Sequence, residues 1–209
     1  MFYKILILAP HTDDGEIGCG GSISKFIEEG KEVYYVAFST ARKSLRSGFP
    51  PDTLEKEVRA ATKVLGIIEE SNLILFNYEV RTFPQHRQEI LEDLIKIKRR
   101  INPDLVFVPS PTDIHQDHQV IANESLRAFK KVTILGYEQP WNNIVFSTRN
   151  FIKLRKRHVA KKIEALKCYA SQTHRTYLTE EFIYGLAKIR GTQIESEYAE
   201  AFEVIRLIM

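Results

Sequence analysis

The sequence predicts an α/β protein with a mostly parallel sheet and helices on both faces of that sheet. Apolar runs of strand length alternate with segments of helical periodicity, and this rhythm produces four strands before residue 110. Strands separated by helices in this way are typical of parallel sheets. Polar clusters follow two of the runs, and the carboxyl edge of such a sheet is where ligands bind.

Local sequence patterns predict each strand and helix in the first half of the chain. The strand at 3–9 is an apolar run, and the strand at 31–39 is rich in β-branched and aromatic residues. Between them, apolar side chains recur at helical spacing up to Gly30. The remaining elements of this half are a helix at 52–65, a strand at 72–76, a helix at about 85–101 and a strand at 105–109. Gly66 closes the first of these helices, and Pro103 ends the second because proline cannot continue a helix.

The regular alternation of strands and helices ends in the second half of the chain. A helix is predicted to open near residue 116, and a fifth strand follows at 131–137. Later elements are one or two strands within 143–154, as antiparallel additions at the sheet edge, a helix at 158–171 and a helix at 179–190 closed by Gly191. The tail at 198–209 mixes helix and strand signals. We therefore expect one domain over 1–209, with residues from about 140 forming edge strands and C-terminal helices.

Composition restricts the possible function classes. The chain has 209 residues, 44% of them apolar, which is enough to bury a core without disulfides or a structural metal. Its formal charge of +3 is too small for a nucleic-acid-binding footprint. The two cysteines are expected to be reduced and buried. We find no signal peptide and no membrane-spanning run, so we expect a cytoplasmic protein, and we leave homo-oligomerisation open.

Ionisable residues cluster where the first strand ends. His11, Asp13, Asp14 and Glu16 occur within six residues, more than an ordinary connecting turn needs. The fourth strand ends in a second such cluster, Asp113-Ile114-His115-Gln116-Asp117-His118, which contains two of the six histidines of the chain. Because both clusters follow strands of a parallel sheet, we expect them to lie at the same edge and to form one site.

The two clusters together contain the residues of a catalytic metal site. Zinc in such a site takes three protein ligands and leaves a position open for water, and His11, Asp14 and His118 are the predicted set. The metal would lower the pKa of that water and polarise a carbonyl oxygen. Asp13 is predicted as the general base, while His115 would stabilise the oxyanion or protonate the departing amine.

Two further acidic residues are given supporting roles. Asp117 would orient His115 and stabilise its charge, and Glu16 would brace the first loop. All of these roles add up to the hydrolysis of an amide or an ester.

The two motifs also resemble a known family. Pro-His-Thr-Asp-Asp-Gly-Glu-Ile-Gly-Cys-Gly-Gly resembles the opening motif of the LmbE-like (PIG-L) zinc de-N-acetylases, and His-Gln-Asp-His is similar to that family's second motif. The resemblance implies a Rossmann-like α/β fold and one divalent ion, usually Zn²⁺, although another divalent metal could take its place. It also implies removal of acetyl from an N-acetylglucosamine-type sugar.

Carried over by position, the resemblance implies the same three ligands, the same base and the same helper histidine. Two departures occur in the first motif. Thr12 stands where the family most often has proline, and Gly15 separates Asp14 from Glu16. We expect neither to disable the site.

Substrate contacts are predicted on two other strand-end loops. Arg42 and Lys43 follow the second strand, and their charges suggest a phosphate- or nucleotide-linked substrate. Trp141 and Asn142 follow the fifth strand, where the tryptophan would stack on a sugar face or serve as a structural anchor. Residues 174–175 would either close over the site or remain an exposed pair.

Three alternative functions remain open at this point. A receiver-like signalling domain would need an aspartate at the end of the third strand, where the chain has Asn77 and Glu79 instead. A non-catalytic sugar-binding homologue would not need the full set of ligands and base. Hydrolysis of a different amide or ester would use the same metal chemistry.

Overall fold

In the computed structural model, which describes residues 2–68 and 70–208, seven strands form one sheet and six α-helices pack around it. The strands are β1 (Lys4–Ala9), β2 (Glu32–Ala37), β3 (Leu73–Leu75), β4 (Leu105–Pro109), β5 (Thr133–Tyr137), β6 (Asn150–Leu154) and β7 (Tyr198–Arg206). The helices are α1 (Asp14–Glu28), α2 (Thr53–Leu65), α3 (Arg87–Ile101), α4 (Gln116–Ala128), α5 (Lys156–Leu166) and α6 (Glu180–Thr192).

The sheet is mostly parallel, as predicted. Its strand order is β3-β2-β1-β4-β5-β7-β6. The first five strands pair in parallel, and β7 lies antiparallel between β5 and β6. The chain leaves β1 towards β2 on one side and enters β4 on the other side, so β1 and β4 flank the point where the strand order reverses. Ligands bind at such a point in open α/β sheets.

Helices cover both faces of the sheet. Residues 5 and 7 of β1 pack in one core cluster with α1, α2 and part of α5. Residues 6 and 8 of the same strand pack in a second cluster with α3 and α4. Because β1 is covered from both sides, five of its six residues are buried, which explains why its sequence is an apolar run without alternation. Helix α6 packs beside α5 and β6 in a smaller third cluster.

Several predictions for the second half need correction. The tail with mixed signals is the nine-residue strand β7. The strand region at 143–154 contains one strand, β6 at residues 150–154, and it is an antiparallel addition at the sheet edge, as expected. Helix α5 ends at Leu166 rather than at 171, because the chain then turns Tyr169 into the core. Cys19 is buried as predicted, whereas Cys168 is only partly buried, and both are free thiols.

The helices were compared with the length and hydropathy of a membrane-spanning segment. Across the described ranges, none of the helices combines the length and the apolar character that crossing a bilayer requires.

Candidate metal centre and substrate cavity

The two polar clusters meet at the carboxyl ends of β1 and β4. These strands are neighbours in the sheet, so the loops that follow them lie side by side. In the first loop the His11 backbone N–H donates to Asp14 Oδ2 at 2.9 Å, which folds the Asp14 side chain back over the loop. In the second loop His115 caps α4, because its Nδ1 accepts from the Asp117 backbone N–H at 3.2 Å. The N-termini of α1 and α4 therefore hold the side chains of the two loops in place.

Three ligand atoms converge between the loops. His11 Nδ1 and His118 Nε2 each lie 3.2 Å from Asp14 Oδ2, and the two nitrogens lie 3.4 Å apart. A tetrahedral zinc ion with bonds of about 2.0–2.1 Å holds its ligand atoms about 3.3 Å from one another. The donor set and its spacing therefore fit one face of a zinc coordination tetrahedron.

A second possible ligand set fits a metal less well. The ligand nitrogens of His11, His115 and His118 also lie within 4.8 Å of one another. Nδ1 of His115 already accepts a backbone hydrogen bond, whereas Asp14 Oδ2 lies 3.2 Å from both His11 Nδ1 and His118 Nε2, close to the spacing of a tetrahedral zinc site. The set that contains Asp14 is therefore the better candidate.

Buried carboxylates orient both candidate histidine ligands. His11 Nε2 lies 3.0 Å from Asp117 Oδ2, and His118 Nδ1 lies 2.7 Å from Asp113 Oδ2. An ionised carboxylate only accepts hydrogen bonds, so each imidazole donates from this outer nitrogen. When the rings are neutral, the inner nitrogens, which face Asp14, therefore carry the lone pairs. This is the tautomer that a histidine needs to bind a metal.

The contact of Asp117 differs from the one expected. The prediction is that its carboxylate orients His115, but it bonds His11 and the backbone N–H groups of Arg81 and Phe83. Only the backbone of Asp117 bonds the His115 ring. The cause is the helix cap: His115 turns its Nδ1 towards the start of α4, and the Asp117 side chain projects to the other loop. Asp113 is a further site residue that has no predicted role, although it lies in the same polar cluster.

The charges of the site favour a cation at its centre. Burial lowers the pKa of His118, but the charge of Asp14 and the hydrogen bond to Asp113 outweigh it and raise that pKa to about 10. Burial alone would raise the pKa of Asp14, and the neighbouring His118 and His11 hold it well below its usual range. The site thus binds a proton tightly where a metal ion would lie.

Asp13 has the opposite electrostatic character to its neighbour Asp14. Burial, followed by the charge of Asp14, raises the pKa of Asp13 to about 6. Burial and the charges of His118 and His11 lower the pKa of His115 to about 4. Both side chains line a cavity beside the ligand atoms. At neutral pH, Asp13 is therefore ready to accept a proton, and His115 is a neutral hydrogen-bond donor.

Glu16 lies beneath the first loop rather than in the site. It is fully buried, and the hydroxyls of Tyr35 and Tyr169 contact both its carboxyl group and the carbonyl oxygen of Thr12. Burial raises the pKa of Glu16 to about 8, so its carboxyl group is largely protonated at neutral pH. The two tyrosines therefore link Glu16 to the backbone at Thr12.

Gln139 is a site residue that the sequence pattern does not reveal. It is fully buried after β5, and its Nε2 donates to the carbonyl oxygen of Asp14 at 3.1 Å and to Asp14 Oδ1 at 3.3 Å. The second oxygen of Asp14 is thus occupied, and Oδ2 is left to face the two histidines.

The cavity beside the three converging atoms has a volume of about 300 Å³. This volume is at the lower end of the range for small-molecule sites. Trp141 and Asn142 line it, and the Trp141 ring stacks on Tyr177 with centroids 3.6 Å apart and an interplanar angle of 11°. The cavity wall therefore carries a flat aromatic pair close to the polar centre.

The predicted basic contacts lie elsewhere. Arg42 and Lys43 do not line the cavity: Arg42 pairs with Glu55 and Lys43 with Glu79 on the protein surface. The short 3₁₀ turn at Arg42–Ser44 directs both side chains outward. Two other arginines, Arg81 and Arg175, line the cavity instead, whereas His174 is exposed and does not.

Comparison with known proteins gives consistent matches. The family model PIG-L, described as GlcNAc-PI de-N-acetylase, matches residues 6–129, more than half of the chain. An uncharacterized deacetylase, YaiS, from Escherichia coli K12 is 28% identical over 170 residues, 80% of this chain and 90% of that protein. A probable N-acetyl-α-D-glucosaminyl L-malate deacetylase 2 from Bacillus anthracis is 28% identical over 206 residues, 88% of each protein.

A solved structure shares the fold over nearly the whole chain. It is an N,N'-diacetylchitobiose deacetylase from Pyrococcus horikoshii, with a TM-score of 0.80 and 23% identity. The similarity covers 98% of this chain and 84% of that one.

Proposed function

The chain belongs to the PIG-L family, and from this premise we propose that it removes an acetyl group from an N-acetylated amino sugar with the help of a bound divalent metal, zinc in the first instance. Deacetylation of N-acetylated sugars is the activity of the family. The metal, the residue roles and the N-acetylglucosamine-type substrate are our proposal for this protein.

One observation carries the proposal. His11 Nδ1, Asp14 Oδ2 and His118 Nε2 lie 3.2–3.4 Å apart at the wall of a cavity that Asp13 and His115 also line. A bound divalent ion would lower the pKa of a water molecule and polarise the carbonyl oxygen of the substrate. A ligand triad, a base and a neutral donor around one cavity are the groups that amide hydrolysis needs.

The opposite pKa shifts of Asp13 and His115 suggest a different catalytic role for each residue. Asp13, with its pKa raised to about 6, takes the proton of the attacking water and passes it to the departing amine as the C–N bond breaks. His115 is neutral, and its Nδ1 is used by the backbone, so its Nε2–H is the group left to donate to the developing oxyanion. Of the two roles that the sequence left open for His115, we therefore favour the oxyanion donor.

The remaining polar residues position the ligands. Asp117 and Asp113 fix the tautomers of His11 and His118, and Gln139 fixes the rotation of the Asp14 carboxylate. Mutation of residues that hydrogen-bond metal ligands in this way typically lowers metal affinity by about 10–100-fold.

The aromatic pair suits a sugar substrate. A pyranose presents an apolar face of C–H groups, and Trp141, backed by Tyr177, offers a flat surface beside the centre. Asn142 adds an amide to the same wall. We therefore place the sugar ring against Trp141, with its acetamido group directed towards Asp13 and His115.

Metal analysis combined with an acetate-release assay tests this proposal. We expect His118→Ala to lose both the metal and the activity. Asp13→Asn should keep the metal and lose about 100-fold or more in rate, the usual contribution of a general base. The controls are His174→Ala and Asp52→Asn, which change residues outside the cavity. A metal-loaded protein that releases no acetate from any N-acetylated sugar, or an Asp13→Asn variant with full activity, would contradict the proposal.

A further inference from the structure

Two cationic side chains on the cavity wall have no acidic partner. Arg81 follows β3 and Arg175 follows α5, and both line the cavity. Within residues 2–68 and 70–208, neither guanidinium forms an ion pair with a carboxylate, whereas the nearby Arg42 and Lys43 both do. Two unpaired cations at one cavity indicate that part of what binds there is negatively charged.

Arg175 lies on the same wall as the aromatic pair. Its guanidinium carbon is 5.9 Å from the centre of the Tyr177 ring, and its Nε donates to Gln172 Oε1 at 3.3 Å. These contacts orient the planar group and leave its remaining N–H groups without an acidic partner. A guanidinium held in this way binds carboxylate or phosphate oxygens in pairs.

The backbone holds Arg81 in an uncommon conformation. Its φ angle is +70°, in the left-handed region that a non-glycine residue rarely adopts. The N–H of Arg81 donates to Asp117 Oδ2 at 2.6 Å, and its carbonyl oxygen accepts from Gln116 Nε2 at 3.2 Å. The turn is therefore held from both sides, and one of those contacts is the carboxylate that orients His11. Strain of this kind, maintained by neighbouring contacts, occurs preferentially at functional sites.

The carboxylates of the site do not need Arg81 and Arg175 to neutralise their charge. Asp14, Asp113 and Asp117 each interact with an imidazole, so three of the four carboxylates already have partners. The charge of Arg175 opposes the rise in the pKa of the fourth, Asp13, but the hydrogen bond of the Arg175 side chain goes to Gln172 and not to Asp13. If the arginines served to neutralise the carboxylates, they would form ion pairs with them.

We propose that Arg81 and Arg175 form a subsite for an anionic group of the substrate, so that the protein prefers N-acetylated amino sugars carrying a phosphate or a carboxylate over neutral ones. This inference rests on the proposed deacetylation and adds its substrate class. It also replaces Arg42 and Lys43, which we expected to bind such a group, with two residues that line the cavity.

Four substrates of matched sugar structure test the subsite. Methyl N-acetylglucosaminide is neutral, N-acetylglucosamine 1-phosphate and 6-phosphate carry a phosphate at two positions, and carboxymethyl N-acetylglucosaminide carries a carboxylate. We expect kcat/KM for at least one anionic substrate to exceed that for the neutral one by about 10-fold or more. That substrate then identifies the anion and its position. Arg81→Gln and Arg175→Gln should each reduce this preference about 10-fold, as expected for one hydrogen bond to a charged group.

Binding measurements separate this inference from the proposed reaction. The preferred phosphate or carboxylate substrate and its neutral counterpart are titrated calorimetrically into the metal-loaded Asp13→Asn protein, alone and combined with each arginine variant. If the anionic group bound the metal instead of the subsite, its affinity would be the same with and without the arginine substitutions. Arg42→Gln is the matched control and should leave the preference unchanged, since this side chain lies outside the cavity.

The outcomes are distinct. Equal turnover of neutral and anionic substrates would overturn the subsite and leave deacetylation standing. Arginine variants that slow both classes equally would also overturn it, because that result is expected if the arginines only set the charge around Asp13. Arginine-dependent anion binding without any acetate release would support the subsite and contradict the proposed function.

Discussion

Replacement of Asp113 by asparagine should weaken metal binding without disturbing the fold. The carboxylate of Asp113 is fully buried and has two partners: Oδ1 accepts from the His115 backbone N–H at 2.8 Å, and Oδ2 lies 2.7 Å from His118 Nδ1. An asparagine has the same shape but only one acceptor oxygen. It can therefore satisfy one of these two donors and must present its NH₂ group to the other.

Each orientation of the asparagine has a cost. If its oxygen stays on the His115 N–H, its NH₂ group donates to His118 Nδ1, and the ring proton moves to Nε2, the atom that faces Asp14. The histidine is then in the wrong tautomer to bind a metal, just as the catalytic histidine of a serine protease takes the wrong tautomer when its aspartate is changed to asparagine. If the amide flips, His118 keeps its tautomer but the His115 N–H faces an NH₂ group.

The expected loss is about 10–100-fold in metal affinity, or about 1.4–2.8 kcal/mol. This agrees with the value of about 1.5–3 kcal/mol for a hydrogen bond to a charged group. Zinc affinity is measured by competition with a chromophoric chelator at alkaline pH, where protons compete least for His118. Thermal unfolding of the metal-free proteins checks the fold, and Asp52→Asn is the control because Asp52 lies on the surface. An Asp113→Asn protein that binds zinc as tightly as the parent would refute this reasoning.

Three further predictions concern stability. Gly15→Ala should lower the free energy of unfolding by about 1–3 kcal/mol, because a Cβ would lie 2.6 Å from a buried tyrosine hydroxyl. Gly185→Ala, with open space around it inside α6, should instead raise it by about 0.5–1 kcal/mol, and denaturant titration distinguishes the two. Hydrogen bonds from Arg157 and His158 lower the pKa of Glu28 to about 2. Glu28→Gln should therefore lower the melting temperature above pH 4.5, and the difference from the parent should shrink as the pH falls towards 2; a constant difference would contradict this.

The sequence predicts much of this site because two of its strands are buried on both faces. β1 and β4 are apolar runs without alternation, and ionisable residues follow each of them directly. The change from an apolar run to a polar cluster marks the strand end, and the parallel arrangement brings both ends to one edge. From this pattern alone, His11, Asp14 and His118 could be predicted as one ligand set, and the structure brings their side-chain atoms to 3.2–3.4 Å from one another.

The contacts between side chains could not be predicted in the same way. Asp113 and Asp117 lie on either side of His115 in the sequence, and nothing in their spacing shows which histidine each one bonds. That choice depends on the cap of α4, which turns His115 towards the helix and directs Asp117 to the other loop. The cations show the same limit: Arg42 and Arg81 both follow strands, but the turn after each strand decides which side chain reaches the cavity.

The two adjacent aspartates show how position gives one residue type two opposite pKa shifts. Both oxygens of Asp14 are occupied: Oδ2 accepts from the His11 N–H and faces the histidines, and Oδ1 accepts from Gln139. Its negative charge is stabilised, and its pKa is held well below the usual range, so it cannot serve as a base at neutral pH. Asp13 faces the cavity, and burial together with the charge of Asp14 raises its pKa to about 6. The contacts that make Asp14 a suitable metal ligand thus also make its neighbour a better proton acceptor.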